Sequence, residues 1–331
     1  MADLLPGYNV VTKLGDGARS AVYEVIHVAT GKLYTLKRVT REANEDDRFL
    51  QQAINEFNVS QRLNHPTLRR SIELFKTRRL FKLVQVRVLM EFVDGLSLDR
   101  RRPDRLDELL TLFIQIAEGL GAMHQAGFLH TDIKPTNVIV AADGAIKIID
   151  FGQSCPIGHR KPRIQGTPDY IAPEQVERRS LSQQTDVFNL GATLYWALTG
   201  QTYPTLITRH GRTRGTVASS AKPPPAPLDL DPTLPPALSR LVMACCAYDR
   251  EVRPRDMAEV RGRLSALLPV AQRLADQASR QKSEPAAVPD VSTPTTALPP
   301  TSDDSLDYSA ISEIINPHHS PERRSGPETP S

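Results

Sequence analysis

The stretch "FLHTDIKPTNVIV", residues 128–140, decides how the rest of the chain is read. Two short apolar pieces flank a polar loop with an acid at Asp132, a base at Lys134 and an amide at Asn137. "VIV" and the following "AIKII" read as two short strands, and the second runs into "DFG" at Asp150–Gly152. A carboxylate at a strand end, beside an amide oxygen from the neighbouring hairpin, makes an oxygen-only site suited to Mg²⁺. A second carboxylate with no metal to bind can orient a hydroxyl. A lysine beside it can neutralise charge that builds on a transferred phosphoryl group. Such parts suit phosphoryl transfer, which needs positioning and electrostatics more than covalent chemistry.

Upstream, residues 8–92 read mostly as strands. "YNVVTKLGDG", "SAVYEVIHVAT" and "GKLYTLKRVT" are β-rich runs broken by glycine turns, and "SIELFKT" and "LVQVRVLMEFV" follow. Between them, "RFLQQAINEFNVSQRLN", residues 48–64, carries a helical apolar stripe. Gly15 and Gly17 in "LGDGARSAVY" allow a tight hairpin whose amides can approach phosphate oxygens. This pair lies between two strands, which argues against a dinucleotide site built on a helix N-terminus. Lys37 stands in an alternating strand. If it faces inward it needs a counter-charge, for which Glu56 on the following helix is the obvious partner. Taken alone, Lys37 reads rather as an outward-facing surface lysine.

Downstream, helices dominate. "LDELLTLFIQIAEGLGAMHQAG" is a long amphipathic helix stopped by Gly127, and "TDVFNLGATLYWALTG" is apolar nearly all round and should be buried. "PALSRLVMACCAYD" and "DMAEVRGRLSALL" predict two more helices, with residues 203–236 as a long loop carrying Arg209, Arg212 and Arg214. Residues 282–331 hold nine prolines and fourteen Ser/Thr, the composition of a disordered tail, with "SLDYSAISEII" as its one helix-capable piece. That tail carries three Lys/Arg against eight Asp/Glu. It therefore holds −5 of the chain's net +3 and leaves the remainder at +8. The three cysteines, two of them adjacent, follow a reduced pattern and give no disulfide framework. No apolar run is long enough for a membrane span.

Read in order, the motifs resemble the eukaryotic-type serine/threonine protein kinases over about residues 8–268. The glycine-rich loop (14–22), Lys37, Glu56 and "NHPTL" come first, then "LMEFVDG" as the hinge and "HTDIKPTN" as the catalytic loop. "DFG", "GTPDYIAPE", "DVFNLG" and "RP" complete the set. The resemblance implies an α+β, bilobal fold. Its N-lobe (8–93) is an antiparallel sheet with one helix and its C-lobe (94–268) is mainly helical; a helical extension (269–281) and the tail follow. It implies that Leu14, Gly15, Gly17 and Val22 cover ATP, and that Lys37 holds its phosphates and pairs with Glu56. Met90 is the implied gatekeeper, Glu91 and Val93 offer backbone groups to adenine, and Ile139 floors the pocket. Asp132 is implied to orient the acceptor hydroxyl, Lys134 to steady the γ-phosphate, and Asn137 and Asp150 to bind Mg²⁺. His130, Thr167, Glu174, Asp186 and Arg253 are implied to be structural. Lys134 and "GTPDYIAPE" resemble the serine/threonine class, so the expected partners are proteins with Ser/Thr acceptors.

One departure matters. Thr131 stands where many of these kinases carry an arginine that pairs with a phosphate on the activation segment. A threonine cannot make that bidentate contact. Between Asp150 and Glu174 the only hydroxyl residues are Ser154, Thr167 and Tyr170, and the last two belong to the "GTPDY" frame. The expectation is an activity independent of activation-segment phosphorylation. Thr35, Ser20 and a lone Cys155 are lesser departures. Two other readings stay open: a pseudokinase acting as a scaffold, and a kinase of small molecules. The tail is a candidate docking segment for a regulatory partner. A cytoplasmic protein with no nucleic-acid partner is expected, of a kind that suits bacterial signalling.

Overall fold

The computed structural model describes residues 5–17, 19–41, 47–207 and 224–283. Three of the sequence expectations lie outside the described residues: the arginine trio at 209–214, the tail from 284 onward and its "SLDYSAISEII" piece.

The first lobe is one antiparallel sheet and one helix. Strands β1 (Tyr8–Asp16), β2 (Ser20–His27) and β3 (Leu33–Thr40) precede helix α1 (Arg48–Ser60), and β4 (Ser71–Arg79) and β5 (Lys82–Glu91) follow it. The sheet order is β1-β2-β3-β5-β4. Strand alternation sorts the side chains into two layers. Val39, Val86, Val88 and Met90 meet Leu50 and Ala53 of α1, while Leu36 and Leu89 pack with Val25 and Leu5 on the other face. Lys37 shares the α1-facing parity with Val39, in register with Val22 on one side and Val88 on the other. On α1 the buried positions are Leu50, Ala53, Glu56, Val59 and Ser60, so helical spacing puts Glu56 on the buried stripe.

The second lobe is mainly helical: β6 (Leu96–Ser97), α2 (Leu106–Gln125), β7 (Phe128–Leu129), β8 (Val138–Val140), β9 (Ile146–Ile148), β10 (Cys155–Pro156), α3 (Pro173–Val176), α4 (Gln183–Thr199), α5 (Pro227–Leu230), α6 (Pro236–Cys245) and α7 (Met257–Ser283). Asp107 and Glu108 sit favourably in the first turn of α2. α4 buries every residue from Thr185 to Tyr195 and stops at Gly200, whose φ of +71° takes the left-handed cap. Gly119 lets α2 lie against the "NHPTL" segment, since a Cβ there would stand 2.3 Å from Thr67 Oγ1.

One feature differs from the sequence reading. The run 203–236, expected to be a loop, contains α5; Pro227 opens it and Asp229 accepts from the Ala226 N–H at 2.8 Å. Helix α7 continues through Pro269, with Ala271 still packed in the core cluster built on α2.

Candidate active site

The catalytic-loop candidate, residues 130–137, hangs between β7 and β8, so both its ends are pinned by strands. Asp186, fully buried on α4, fixes its start: Oδ2 accepts from His130 N–H at 2.9 Å and Oδ1 from Thr131 N–H at 2.7 Å. His124 Nε2 lies 2.8 Å from the same Oδ2. Burial would raise the Asp186 carboxyl, but His124 and these amides outweigh it and hold it below the usual carboxylate range. The buried His130 ring meets Ile149 O through Nε2 at 3.2 Å, accepts from Asp132 N–H at Nδ1, and packs edge-on to Phe151.

Asp132 is 7% exposed. Its Oδ1 accepts from the Thr167 N–H at 2.9 Å and the Thr167 hydroxyl at 2.8 Å. Lys134 Nζ bridges Asp132 Oδ2, at 3.0 Å, and Thr167 Oγ1, at 2.7 Å. Asn137 donates through Nδ2 to Asp132 O at 2.9 Å, which fixes the amide and leaves Oδ1 as an acceptor. The catalytic loop and the "GTPDY" segment are thus joined through one carboxylate.

The sheet supplies the opposite wall. Lys37 Nζ donates to Glu56 Oε2 at 2.7 Å and to Asp150 Oδ1 at 3.2 Å. Burial would lower the Lys37 pKa, but Asp150 and Glu56 outweigh it and raise it, so the ammonium is charged at any working pH. Lys37 above all holds the Asp150 carboxyl well below the usual range. Asp150 adopts a left-handed backbone, φ +65°, stabilised by its own Oδ1 accepting from Gly152 N–H at 3.3 Å. The residues fit a hard divalent cation: Asp150 is an ionised oxygen donor whose Oδ2 has no hydrogen-bond partner among the described residues, and Asn137 presents an amide oxygen.

The cleft between these walls carries the remaining predicted residues. Gly15 stands in register with Val22, and Gly17 donates its N–H to Ser20 O at 2.7 Å. Leu14 is 50% exposed. Buried Met90 pairs in register with Thr35. Glu91 donates its N–H to Arg70 O, and its Oε1 accepts from Lys147 Nζ at 2.8 Å. Val93 and Ile139 are half-buried. Gly95 lets the hinge lie against β8, because a Cβ there would stand 2.6 Å from Val140 O and 2.8 Å from Ile139 Cγ2.

Further out, Glu174 and Arg253 form a fully buried pair. Arg253 uses all five N–H groups: two on the Glu174 oxygens at 2.9 and 3.0 Å, three on the carbonyls of Gln184, Ala247 and Tyr248. Sequence reasoning missed four contributors. Arg69 Nη2 reaches the second Glu56 oxygen at 3.1 Å, and Asn55 Nδ2 donates to the carbonyls of Phe151, Gly152 and Ser154. His124 and Lys161 complete the set. Asn55 lies one position before Glu56 on the helix that flanks "DFG", a signal that could have flagged it; the others act through space and leave no local pattern. Cys155 is buried and pushed up to about 11 by that burial, so it is not a reactive thiol. No helix among the described residues is long and apolar enough to cross a membrane.

The model of the family described as "Protein kinase domain" matches residues 8–261. Among curated proteins, an Aurora kinase of Saccharomyces cerevisiae is 34% identical over 202 residues, 59% of this chain and 54% of its own length. A probable serine/threonine-protein kinase PknB of Lactococcus lactis is 26% identical over 264 residues, 76% of this chain and 40% of its own. The serine/threonine-protein kinase PLK4 of Danio rerio is 28% identical over 204 residues, 61% of this chain but 22% of its own. The chain therefore spans about half the length, or less, of these relatives. With the family match covering both lobes and every element of the cleft, the chain belongs to the protein kinase domain family.

Proposed function

We propose that the chain transfers the γ-phosphoryl group of ATP to serine or threonine hydroxyls of proteins. The observation that supports this best is the assembled cleft: Lys37 joined to both Glu56 and Asp150 on one wall, and Asp132 held by Thr167 and Lys134 on the other. A scaffold with no chemistry to do would not need five buried or half-buried charges held in two contacting sets, one on each wall, since each such group is expensive to desolvate.

In the proposed reaction, Lys37 binds the α- and β-phosphates, and the hinge backbone at Glu91 and Val93 meets adenine over Ile139. Asn137 and Asp150 would hold Mg²⁺, which supplies charge neutralisation to the phosphates when bound. The acceptor hydroxyl donates to Asp132, whose carboxylate is aimed by Thr167. The hydroxyl oxygen attacks the γ-phosphorus, the bond to the β-γ bridging oxygen breaks, and ADP leaves. The hydroxyl proton passes to Asp132 and then to solvent. Lys134 stands beside Asp132, where charge builds on the transferred group. Peptide acceptors are favoured over small molecules because the "GTPDY" segment, a peptide-docking element in the family this chain resembles, packs directly on Asp132 through Thr167.

We further propose that this cleft works without phosphorylation of the activation segment. Ser154, the one hydroxyl outside the "GTPDY" frame, is 5% exposed and out of reach of a second kinase. The test is transfer from labelled ATP with Mg²⁺ to a generic basic protein, followed by acid hydrolysis. Phosphoserine or phosphothreonine, lost on chelation of divalent cation, is expected; phosphotyrosine or a labelled small molecule would overturn the reading.

A further inference from the structure

Between Pro156 and Ile164 every residue of the activation segment is exposed except Lys161, which is 5% exposed. A lysine buried alone in a run of exposed residues inverts the usual preference, because the ammonium loses its hydration. Its head meets two neutral oxygens: Nζ donates to Thr131 Oγ1 at 2.8 Å and to Gln153 O at 2.6 Å. Among the described residues no carboxylate lies within ion-pair distance of it. The groups acting on it are the Cys155 thiol and, at longer range, Asp132 and Asp186; burial dominates and lowers its pKa below lysine's ordinary value.

Its two partners give it a role. Gln153 follows directly on "DFG", and Thr131 directly precedes Asp132. Thr131 is a β-branched residue at φ +65°, a conformation that persists only when surroundings over-determine it. Each of its polar atoms is held: N–H by Asp186 Oδ1, carbonyl by Gln175 Nε2 at 2.8 Å, and hydroxyl by Gln153 O at 2.9 Å together with Lys161. Gln175 Nε2 also reaches Gln165 O at 3.1 Å. Lys161 is therefore the point at which the catalytic loop, the end of the metal-binding turn and the activation segment are tied together.

We infer that Lys161 is a positioning residue that orders the activation segment onto the catalytic loop through the Thr131 hydroxyl. It is an in-built cation doing, within one chain, the ordering that an arginine and an added phosphate would otherwise do together. This inference rests on the phosphoryl-transfer reading above. It explains why Thr131 suffices beside Asp132: an arginine there would meet the Lys161 ammonium with like charge, whereas a hydroxyl accepts from it. The cation comes from the segment and the acceptor from the loop, so no modification is needed to close the contact.

The test uses the full chain with Lys161→Met, Lys161→Arg and Thr131→Val. It measures kcat, KM for ATP, binding of a fluorescent ATP analogue and hydrogen exchange over residues 153–165. Removing one charge-assisted contact predicts a fall in kcat of roughly 10–100-fold in Lys161→Met. ATP affinity should stay within about twofold, because Lys37 and the hinge are untouched. Exchange over 153–165 should rise, and Lys161→Arg, which keeps charged donors, should recover part of the rate. Thr131→Val should reproduce the loss, and adding Lys161→Met to it should cost little more, as expected for two halves of one contact. A Lys161→Met enzyme within about twofold of wild type in kcat, with unchanged exchange, overturns the inference. If Lys161→Met fails to fold, Thr131→Val decides by the same criteria. If wild type itself transfers no phosphate, the reading of function fails instead, and the exchange data still judge the contact.

Discussion

Replacing Glu174 by Gln tests the buried anchor beneath the substrate-facing segment. The Glu174 and Arg253 side chains are 1% and 0% exposed, and the arginine face also lies 5.0 Å from the Phe188 ring. Gln keeps the shape but removes the charge, leaving an uncompensated guanidinium and turning an amide N–H₂ toward one of its donors. Breaking a buried pair from one side costs about 3–5 kcal/mol. At about 2–4 °C per kcal/mol for a lobe of this size, the melting temperature should fall by roughly 6–20 °C. The dependence on pH has a defined sign. Burial would raise the Glu174 carboxyl, but Arg253 and the Thr185 hydroxyl outweigh it and lower it. A lowered folded-state pKa gives stability that is fully present above the unfolded value and is lost as pH falls through the folded one. The gap between wild type and Glu174→Gln, followed by calorimetry, should therefore be flat from pH 8 to about 5 and close only in stronger acid. A melting temperature within about 2 °C of wild type at pH 7, or a gap that closes near neutrality, would refute the reasoning.

Other outcomes follow from the same geometry. Gly95→Ala puts a Cβ against Val140 O, so the hinge must move off β8; ATP affinity by calorimetry should fall by about 1–3 kcal/mol, and an unchanged affinity would mean the hinge adapts freely. Ser154→Ala removes a buried hydroxyl that has no hydrogen-bond partner among the described residues, so kinase activity should be unchanged and stability equal or slightly higher. Loss of activity in that variant, rescued by Ser154→Asp, would contradict phosphorylation-independent activity. Cys245, pushed up to about 12 by burial, should resist a thiol reagent at pH 8 until denaturant is added; prompt labelling of the folded chain would show the α4–α6 contact opening.

How much of this was legible in the sequence follows from the range of each signal. Strands β1 to β5 and helices α1, α2, α4 and α6 announce themselves because each is a long enough apolar or periodic run to read locally, and Gly127 and Gly200 mark where α2 and α4 stop. The motif order located Lys37, Glu56, Asp132, Asn137 and Asp150, and the register of β3 explains why Lys37 faces α1. The two-residue strands β6, β7 and β10 were not legible, since so short a pairing has no period. α5 was hidden among prolines that read as a loop, although Pro227 is a sound first helical residue. His124, Arg69 and Lys161 were hidden for a different reason. Each is set by a partner far along the chain, as with Lys161 and Thr131, which are thirty positions apart. The absence of arginine at 131 was visible; the cation that replaces it was not, because a lysine in a polar run looks like surface.

The central claim is that this cleft transfers phosphate with Asp132 at its centre. The most direct test compares the rate of label transfer from ATP to a basic protein by wild type and by Asp132→Asn, with both shown to be folded and to bind a fluorescent ATP analogue. The account predicts transfer by wild type onto serine or threonine, a loss of at least about a hundredfold in Asp132→Asn, and little change in nucleotide binding. Equal rates in the two proteins, or ATP binding without any transfer by wild type, would contradict it.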